Sequence, residues 1–103
     1  MAAILSVTTT RVRDGKQADF LAAIGKVKKA FEGHGAKVRV LSQAYGVSPL
    51  TITTVVELAS WEAFGAFSEK VEKDAAVQSL LAELRAHPIS DITARSVSTE
   101  LDV

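Results

Sequence analysis

Residues 4–33 have the sequence ILSVTTTRVRDGKQADFLAAIGKVKKAFEG, and the spacing of their apolar side chains changes at Gly15. Before Gly15, residues 4–12 are rich in β-branched types and alternate from apolar to polar, which is typical of a strand. After it, apolar side chains recur every three or four residues from Lys16 to Glu32, which predicts an amphipathic helix. The apolar stripe consists of Phe20, Ile24, Val27 and Phe31. A strand that leads directly into a long helix is the first half of a β-α-β unit.

The remainder of the chain repeats this change of period. Further strands are predicted over residues 36–45, 51–58 and 89–101, with a helical region before the last of them. Residues 46–49 form a short loop, so the two strands beside it are expected to pair as an antiparallel hairpin. Asp14, Ser60 and Asp74 are expected to cap helices, and Asp74 follows a break in the second helical region. The dipeptide His87-Pro88 is expected to end that region.

The order of elements is therefore β-α-β-β-α-β, an α+β arrangement in one domain over residues 1–103. Crossover connections between parallel strands are right-handed, and this rule restricts the topology. It predicts a four-stranded antiparallel sheet with strands in the order 4-1-3-2 and with the helices on one face.

The sheet face opposite the helices is expected to be mixed in character. If the more apolar side of each strand faces the helices, β-branched, aromatic and cationic side chains share the other face. Its predicted members are Ser6, Thr8, Thr10, Arg39, Leu41, Gln43, Tyr45, Thr53, Val55, Arg95 and Val97. Monomers rarely leave such a patch uncovered, so we expect two copies to pair through it as a homodimer. An open-faced monomer is the alternative.

The composition disfavours several partners and kinds of site. Twelve basic residues balance twelve acidic ones, so no basic field attracts nucleic acid or an anionic membrane. The chain has no cysteine, and neither of its two histidines has metal-ligand spacing, so the sequence calls for no metal and no cofactor. The first residues do not resemble a signal peptide, and no apolar run reaches the roughly 20 residues of a membrane span. We therefore expect a cytoplasmic protein.

The two histidines are candidates for a general acid or base because imidazole titrates near neutral pH. His34 lies between Gly33 and Gly35 where the first helix ends, and His87 ends the second helical region. At a helix C-terminus a histidine more often caps carbonyl groups than takes part in catalysis. His34 is kept as a catalytic candidate, with this structural role as the alternative.

Four further side chains are candidates for ligand contacts. Tyr45 is the second catalytic candidate, since its phenol can bond a ligand, although it can equally fill a dimer interface. Arg39 and Arg95 can hold an anionic substrate or an enolate if both point between the sheets, or they can pair with Glu57 across the interface. Trp61 can form the wall of a substrate pocket, although an aromatic at helical spacing is first of all core.

Several local sequences resemble the dimeric α/β-barrel superfamily, which is built on ferredoxin-like sheets. They are the turn Asp14-Gly15-Lys16, the stretch ELASWEAF at 57–64, the restart DAAVQ at 74–78 and the exit His87-Pro88-Ile89. The superfamily contains antibiotic-biosynthesis monooxygenases, NIPSNAP-like proteins and stress-responsive barrel domains. The resemblance covers nearly the whole chain and implies a homodimer whose two sheets enclose a small-molecule cavity. Haem-degrading members have an Asn in the first strand, where this chain has Ser6 and Thr8, which disfavours that branch.

The resemblance implies two functions without selecting between them. One is a cofactor-independent monooxygenase-like enzyme that acts on an aromatic or polyketide-like compound. In that chemistry the deprotonated substrate supplies electrons, and the protein supplies an apolar cavity, a base and donors for the developing oxyanion. The other is a non-catalytic stress-associated or accessory module that is also dimeric. An enzyme needs a cavity of about 300 Å³ or more with convergent polar groups, whereas a module has a filled interior.

Overall fold

The computed structural model describes residues 2–43, 50–101 and 103. The strands are β1 (Ile4–Val12), β2 (Lys37–Ser42), β3 (Thr51–Leu58) and β4 (Ser90–Thr99), and the helices are α1 (Gln17–Gly33), α2 (Trp61–Lys73) and α3 (Ala75–Ala86). This order confirms the predicted α+β arrangement, including the break at Asp74 between α2 and α3. The strand predicted to reach Tyr45 ends at Ser42, and Tyr45 lies outside the described residues.

Side-chain caps fix the starts of α2 and α3. Ser60 Oγ accepts a hydrogen bond of 3.1 Å from the backbone N–H three residues later, and Asp74 Oδ1 accepts two from the first turn of α3. Both predicted caps are confirmed, because each side chain pairs N–H groups that a helix start leaves free. The predicted cap by Asp14 is wrong. The backbone N–H of Lys16 donates to the carbonyl of Arg13, and α1 starts after that turn with no side-chain cap.

The four strands form one antiparallel sheet in the order β2-β3-β1-β4, which confirms the predicted topology. β1 is paired along its length on both sides, to β3 and to β4. Directly paired residues of an antiparallel sheet point to the same side. The register therefore assigns every strand residue to one of two faces. One row, for example, runs from Arg39 to Val55 and on to Val7 and Ser96.

The predicted orientation of β1 is wrong. Ile4 and Val12 are each 1% exposed and Thr10 is 6% exposed, so their side of the strand lies under the helices. Ser6 and Thr8, which were expected on the opposite face, share this side because residues two apart in a strand point the same way. Threonine has nearly the shape of valine, and among the described residues no buried side-chain oxygen lacks a partner. The hydroxyl groups on this side of β1 are therefore compatible with its position under the helices.

The predicted placement of Arg95 and Val97 is wrong for the same reason. They are paired with Thr8 and Ser6, so they lie on the helix side of the sheet. A register shift between Thr9 and Thr10 of β1 adds one residue to β4 at this point. The helices do not cover β4, and Val97 remains 46% exposed on that side.

We call the sheet surface opposite the helices the open face. Its members on β1 and β3 are Leu5, Val7, Thr9, Arg11, Thr51, Thr53, Val55 and Glu57, and those on β2 and β4 are Lys37, Arg39, Leu41, Asp91, Ala94, Ser96 and Ser98. The other face of the sheet forms the core with the helices. One buried cluster there surrounds Phe67 of α2, and the second surrounds Phe20 of α1.

The chain exposes more surface to solvent than folded monomers of its mass do on average. Its accessible surface is 6962 Å², whereas a folded monomer of 10.9 kDa exposes about 5,600 Å² on average. The molecule is a slab of 41 × 36 × 18 Å, so its thickness is that of one sheet and one layer of helices. The open face accounts for part of this additional surface.

We predict that Phe67→Ala destabilises the fold by about 3–5 kcal/mol, because it leaves a cavity in the main cluster and removes the edge-to-face contact with Phe31. Urea unfolding followed by circular dichroism measures this loss. Leu21→Ala is the control, since Leu21 is 54% exposed and we expect a change within about 0.5 kcal/mol. Equal losses in the two variants would contradict the assigned core.

Candidate functional site

The open face has an apolar centre. Val7 of β1 and Val55 of β3 are directly paired, Leu5 lies one row away, and Leu41 of β2 is half exposed. Threonine, serine and alanine side chains complete the surface towards β4. Such a patch on the side of the sheet away from the helices has no intramolecular partner among the described elements. Among the described residues, this patch is the one broad apolar surface on the side of the sheet that the helices do not cover.

Arg39 borders the apolar centre from the edge strand β2. Its guanidinium donates one hydrogen bond of 3.2 Å from Nη2 to Oε1 of Glu57 on β3, within one chain and not across an interface. The Arg39 side chain is 61% exposed, whereas that of Glu57 is 26% exposed. A guanidinium has five N–H donors, so most of those on Arg39 remain available for a planar anion.

The far end of the open face has a second ionic group. Arg13 donates to both carboxylate oxygens of Asp91, at 3.2 Å from Nε and 2.9 Å from Nη2, and so ties the end of β1 to the start of β4. This hydrogen bonding, with a smaller contribution from the charge of Arg11, holds the pKa of Asp91 below its ordinary value. Both side chains are about half exposed, so the pair orients the strands and stabilises them little.

His34 lies among the helices, away from the open face. Its Nε2 is 2.8 Å from Oδ2 of Asp74, which joins the end of α1 to the junction of α2 and α3. The hydrogen bond to His34, followed by the bonds from the first turn of α3, lowers the pKa of Asp74. The backbone N–H of His34 also donates to the carbonyl of Ala30. His34 is thus in the helix-capping position that was the alternative to its catalytic role.

A shallow groove of about 300 Å³ runs between α1 and α3 on the helix layer. Ala22, Ala23, Leu80, Leu84 and Ile89 form its apolar part, and Asp19, Lys26, Glu83 and His87 form its polar part. No ion pair joins these charged groups among the described residues. None of Arg39, Arg95 and Trp61 lines the groove, so it is separate from the predicted site.

The predicted site residues do not form one cluster. Arg39 lies on the open face, whereas Arg95 projects from the opposite side of the sheet. Trp61 starts α2, is 60% exposed and contacts Phe64 edge to face. His34 lies among the helices, so among the described candidates Arg39 alone borders the apolar centre.

Sequence reasoning missed two residues of that centre, Leu5 and Val7. A usable signal was present, because Ile4 and Val12 are the large aliphatic residues at the two ends of β1 and have the same parity. Burial of both ends under the helices requires Leu5 and Val7 to face the other way.

Within residues 2–43, 50–101 and 103, no three side chains of His, Asp or Glu lie close enough together to hold a metal ion. No helix in those ranges is both long enough and apolar enough to span a bilayer.

The chain is similar in structure to several solved proteins. A NIPSNAP family protein from Agrobacterium tumefaciens is 16% identical with a TM-score of 0.71, over 98% of this chain and 93% of that one. SnoaB, a cofactor-independent oxygenase from Streptomyces nogalater, is 14% identical with a TM-score of 0.74, over 98% and 95%. A candidate antibiotic biosynthesis monooxygenase from Bordetella bronchiseptica is 19% identical with a TM-score of 0.66, over 100% and 99%. No protein-family model matches the sequence, and a comparison with curated proteins finds no match.

These likenesses confirm the ferredoxin-like fold that the resemblance of the sequence implied. The chain shares its ferredoxin-like fold with these solved proteins. Since each identity is below one-fifth, the comparisons define the fold and leave the chemistry to the site.

We predict that the His34–Asp74 contact makes stability depend on acidity. The hydrogen bond with His34 holds the folded-state pKa of Asp74 below the ordinary value of an aspartate, so the ionised carboxylate stabilises the fold at pH values above that ordinary value. This contribution is lost as the pH falls through the folded-state pKa. Asp74→Asn should therefore lower the melting temperature near neutral pH, and should lose less than the wild type on acidification from about pH 5 to about pH 2.

Circular dichroism melts across this range of pH test the prediction. Glu69→Gln is the matched control, because Glu69 is exposed on α2 and makes no ion pair with any described residue. It should keep the acid dependence of the wild type. An Asp74→Asn variant that follows the wild type at every pH would show that the contact contributes nothing.

Proposed function

We propose that the chain is a cytoplasmic homodimer whose two open faces enclose a small-molecule cavity, and that it acts as a cofactor-independent monooxygenase-like enzyme on an aromatic or polyketide-like compound. The observation that carries this proposal is the apolar centre of the open face, with Arg39 at its border. An uncovered sheet face of this kind is stabilised when a second sheet packs on it. Solved neighbours that include a cofactor-independent oxygenase support the choice of reaction class.

In this proposal Arg39 holds the oxyanion that develops on the substrate. A guanidinium beside an apolar wall stabilises such charge strongly, because water is excluded once the face is covered. Tyr45, which follows β2 in the sequence and lies outside the described residues, is proposed as the group that transfers a proton. Val7, Val55 and Leu41 supply the apolar wall against which an aromatic ring can lie.

A non-catalytic dimeric module is the second candidate, and the positions of the histidines favour it. His34 is bonded to Asp74 among the helices, and His87 lines the groove between α1 and α3. The described part of the open face therefore has no imidazole to act as a base. In this alternative the two faces pack directly on one another and leave no cavity.

We predict that Leu41→Asp converts the dimer into a monomer, because it places a charge in the apolar centre of the proposed interface. Leu21→Asp is the matched control. Leu21 is 54% exposed and Leu41 is 50% exposed in the single chain, but Leu21 lies on the helix layer. Light scattering after size exclusion should give twice 10.9 kDa for the wild type and for Leu21→Asp, and 10.9 kDa for Leu41→Asp.

The outcomes distinguish an interface on the open face from one on the helix layer. A monomeric wild type would contradict the proposed dimer. A dimer lost in Leu21→Asp and kept in Leu41→Asp would move the interface to the helix layer.

Activity is tested with an oxygen electrode and a panel of polycyclic phenols, without added metal or flavin. We expect oxygen uptake with the wild type and a loss of about 100-fold in Arg39→Gln, since one preorganised donor to an oxyanion contributes roughly that factor. Arg85→Gln, on α3, is the control. A wild-type dimer that consumes no oxygen with any phenol would favour the non-catalytic module.

A further inference from the structure

The strand positions of the open face carry one more cation than carboxylate, and Glu100 follows the end of β4, where its backbone N–H donates to the carbonyl of Ala3. The open-face positions include three cations, Arg11, Lys37 and Arg39, but only two carboxylates, Glu57 and Asp91. Both carboxylates already have partners. Glu57 accepts from Arg39, and Asp91 accepts two hydrogen bonds from Arg13 at the end of the sheet. Within the described residues, no salt bridge joins Arg11 or Lys37 to a carboxylate, although the charge of Arg11 acts on Asp91.

A second copy of the chain cannot correct this imbalance through the same strands. A two-fold axis brings identical patches together, so pairing two open faces doubles the cations and the carboxylates alike. Residues 44–49 contain no acidic residue. Two sources can supply the additional negative charge, a ligand or the C-terminal residues Glu100 and Asp102.

The lack of a negative partner raises the free energy most at Arg39. It is the cation in the row of Val55 and Val7, and its one contact to Glu57 is a single hydrogen bond of 3.2 Å. Once the face is covered, its remaining N–H donors lose water and need acceptors. A carboxylate satisfies two of them at once, since its two oxygens match the spacing of the guanidinium fork.

We propose that the covered open face binds an organic carboxylate with an apolar body. The carboxylate lies on Arg39, and the body packs against Val7, Val55 and Leu41. The inference depends on the proposed dimer and narrows the ligand class from aromatic or polyketide-like compounds to those that carry a carboxylate.

Calorimetric titration of the full-length protein with 2-naphthoate and with 2-naphthamide tests the proposal. The two probes share one ring system and differ in charge. We expect 2-naphthoate to bind the wild type about tenfold more tightly, as charge-assisted bidentate bonds do. Arg39→Gln should abolish that preference. Arg85→Gln removes an arginine from the last turn of α3 and should keep it. Equal affinities for the two probes in the wild type would overturn the proposal, as would a preference that survives Arg39→Gln.

The alternative is that the carboxylates of Glu100 and Asp102 in a second copy supply the negative charge at Arg39. The double variant Glu100→Gln, Asp102→Asn tests this alternative. If these residues of a second copy neutralise Arg39, the wild type will show no preference and the double variant will gain one. That result overturns the proposal. If a ligand supplies the charge, the double variant keeps the wild-type preference.

Light scattering on the same samples separates this inference from the proposed function. A dimer that binds both probes equally contradicts the carboxylate and leaves the enclosed cavity intact. A monomer that binds neither probe contradicts both.

Discussion

The register between β1 and β3 decides what this molecule can do. β1 is paired on both sides, and the burial of Ile4 and Val12 under the helices fixes the direction of every side chain between them. A shift of one residue would exchange the two faces completely. Leu5 and Val7 therefore lie on the open face with Val55 and Arg39, and the apolar centre follows from this one constraint.

The helix layer stabilises the fold and does not provide the proposed site. Its helices are joined where His34 meets Asp74, a residue that also caps α3. The aromatic contact between Phe31 and Phe67 lies in the main buried cluster. These contacts leave the other side of the sheet available for a partner, which is where a two-layer domain of this size has surface still to bury.

Much of the fold was predictable because the decisive signals are local. The change of apolar period, the caps at Ser60 and Asp74 and the end of α3 before Pro88 are each set by neighbouring residues. The faces of β1 were not predictable from apolar count, since Thr10 packs under the helices much as a valine would.

The site was less predictable, because it depends on contacts between residues far apart in sequence. His34 and Asp74 are 40 residues apart, and only the folded chain shows that the ring has a carboxylate partner. Arg39 was placed correctly because it lies opposite the buried Val38 on β2. Arg95 was misplaced because β4 is exposed on both sides and has no clear apolar face. The residue composition of a sheet face indicates that a partner covers it, but local sequence patterns do not identify that partner.

A second copy is proposed to cover the open face, and thiol labelling can detect this cover because the chain has no cysteine of its own. Leu41→Cys and Leu21→Cys place one thiol each at positions that are 50% and 54% exposed in the single chain. A maleimide reagent should modify the protein slowly at position 41 and fast at position 21, and dilution should accelerate the reaction only at position 41. Equal and fast labelling at both positions, independent of dilution, would mean that the open face is exposed to water and that the account is wrong.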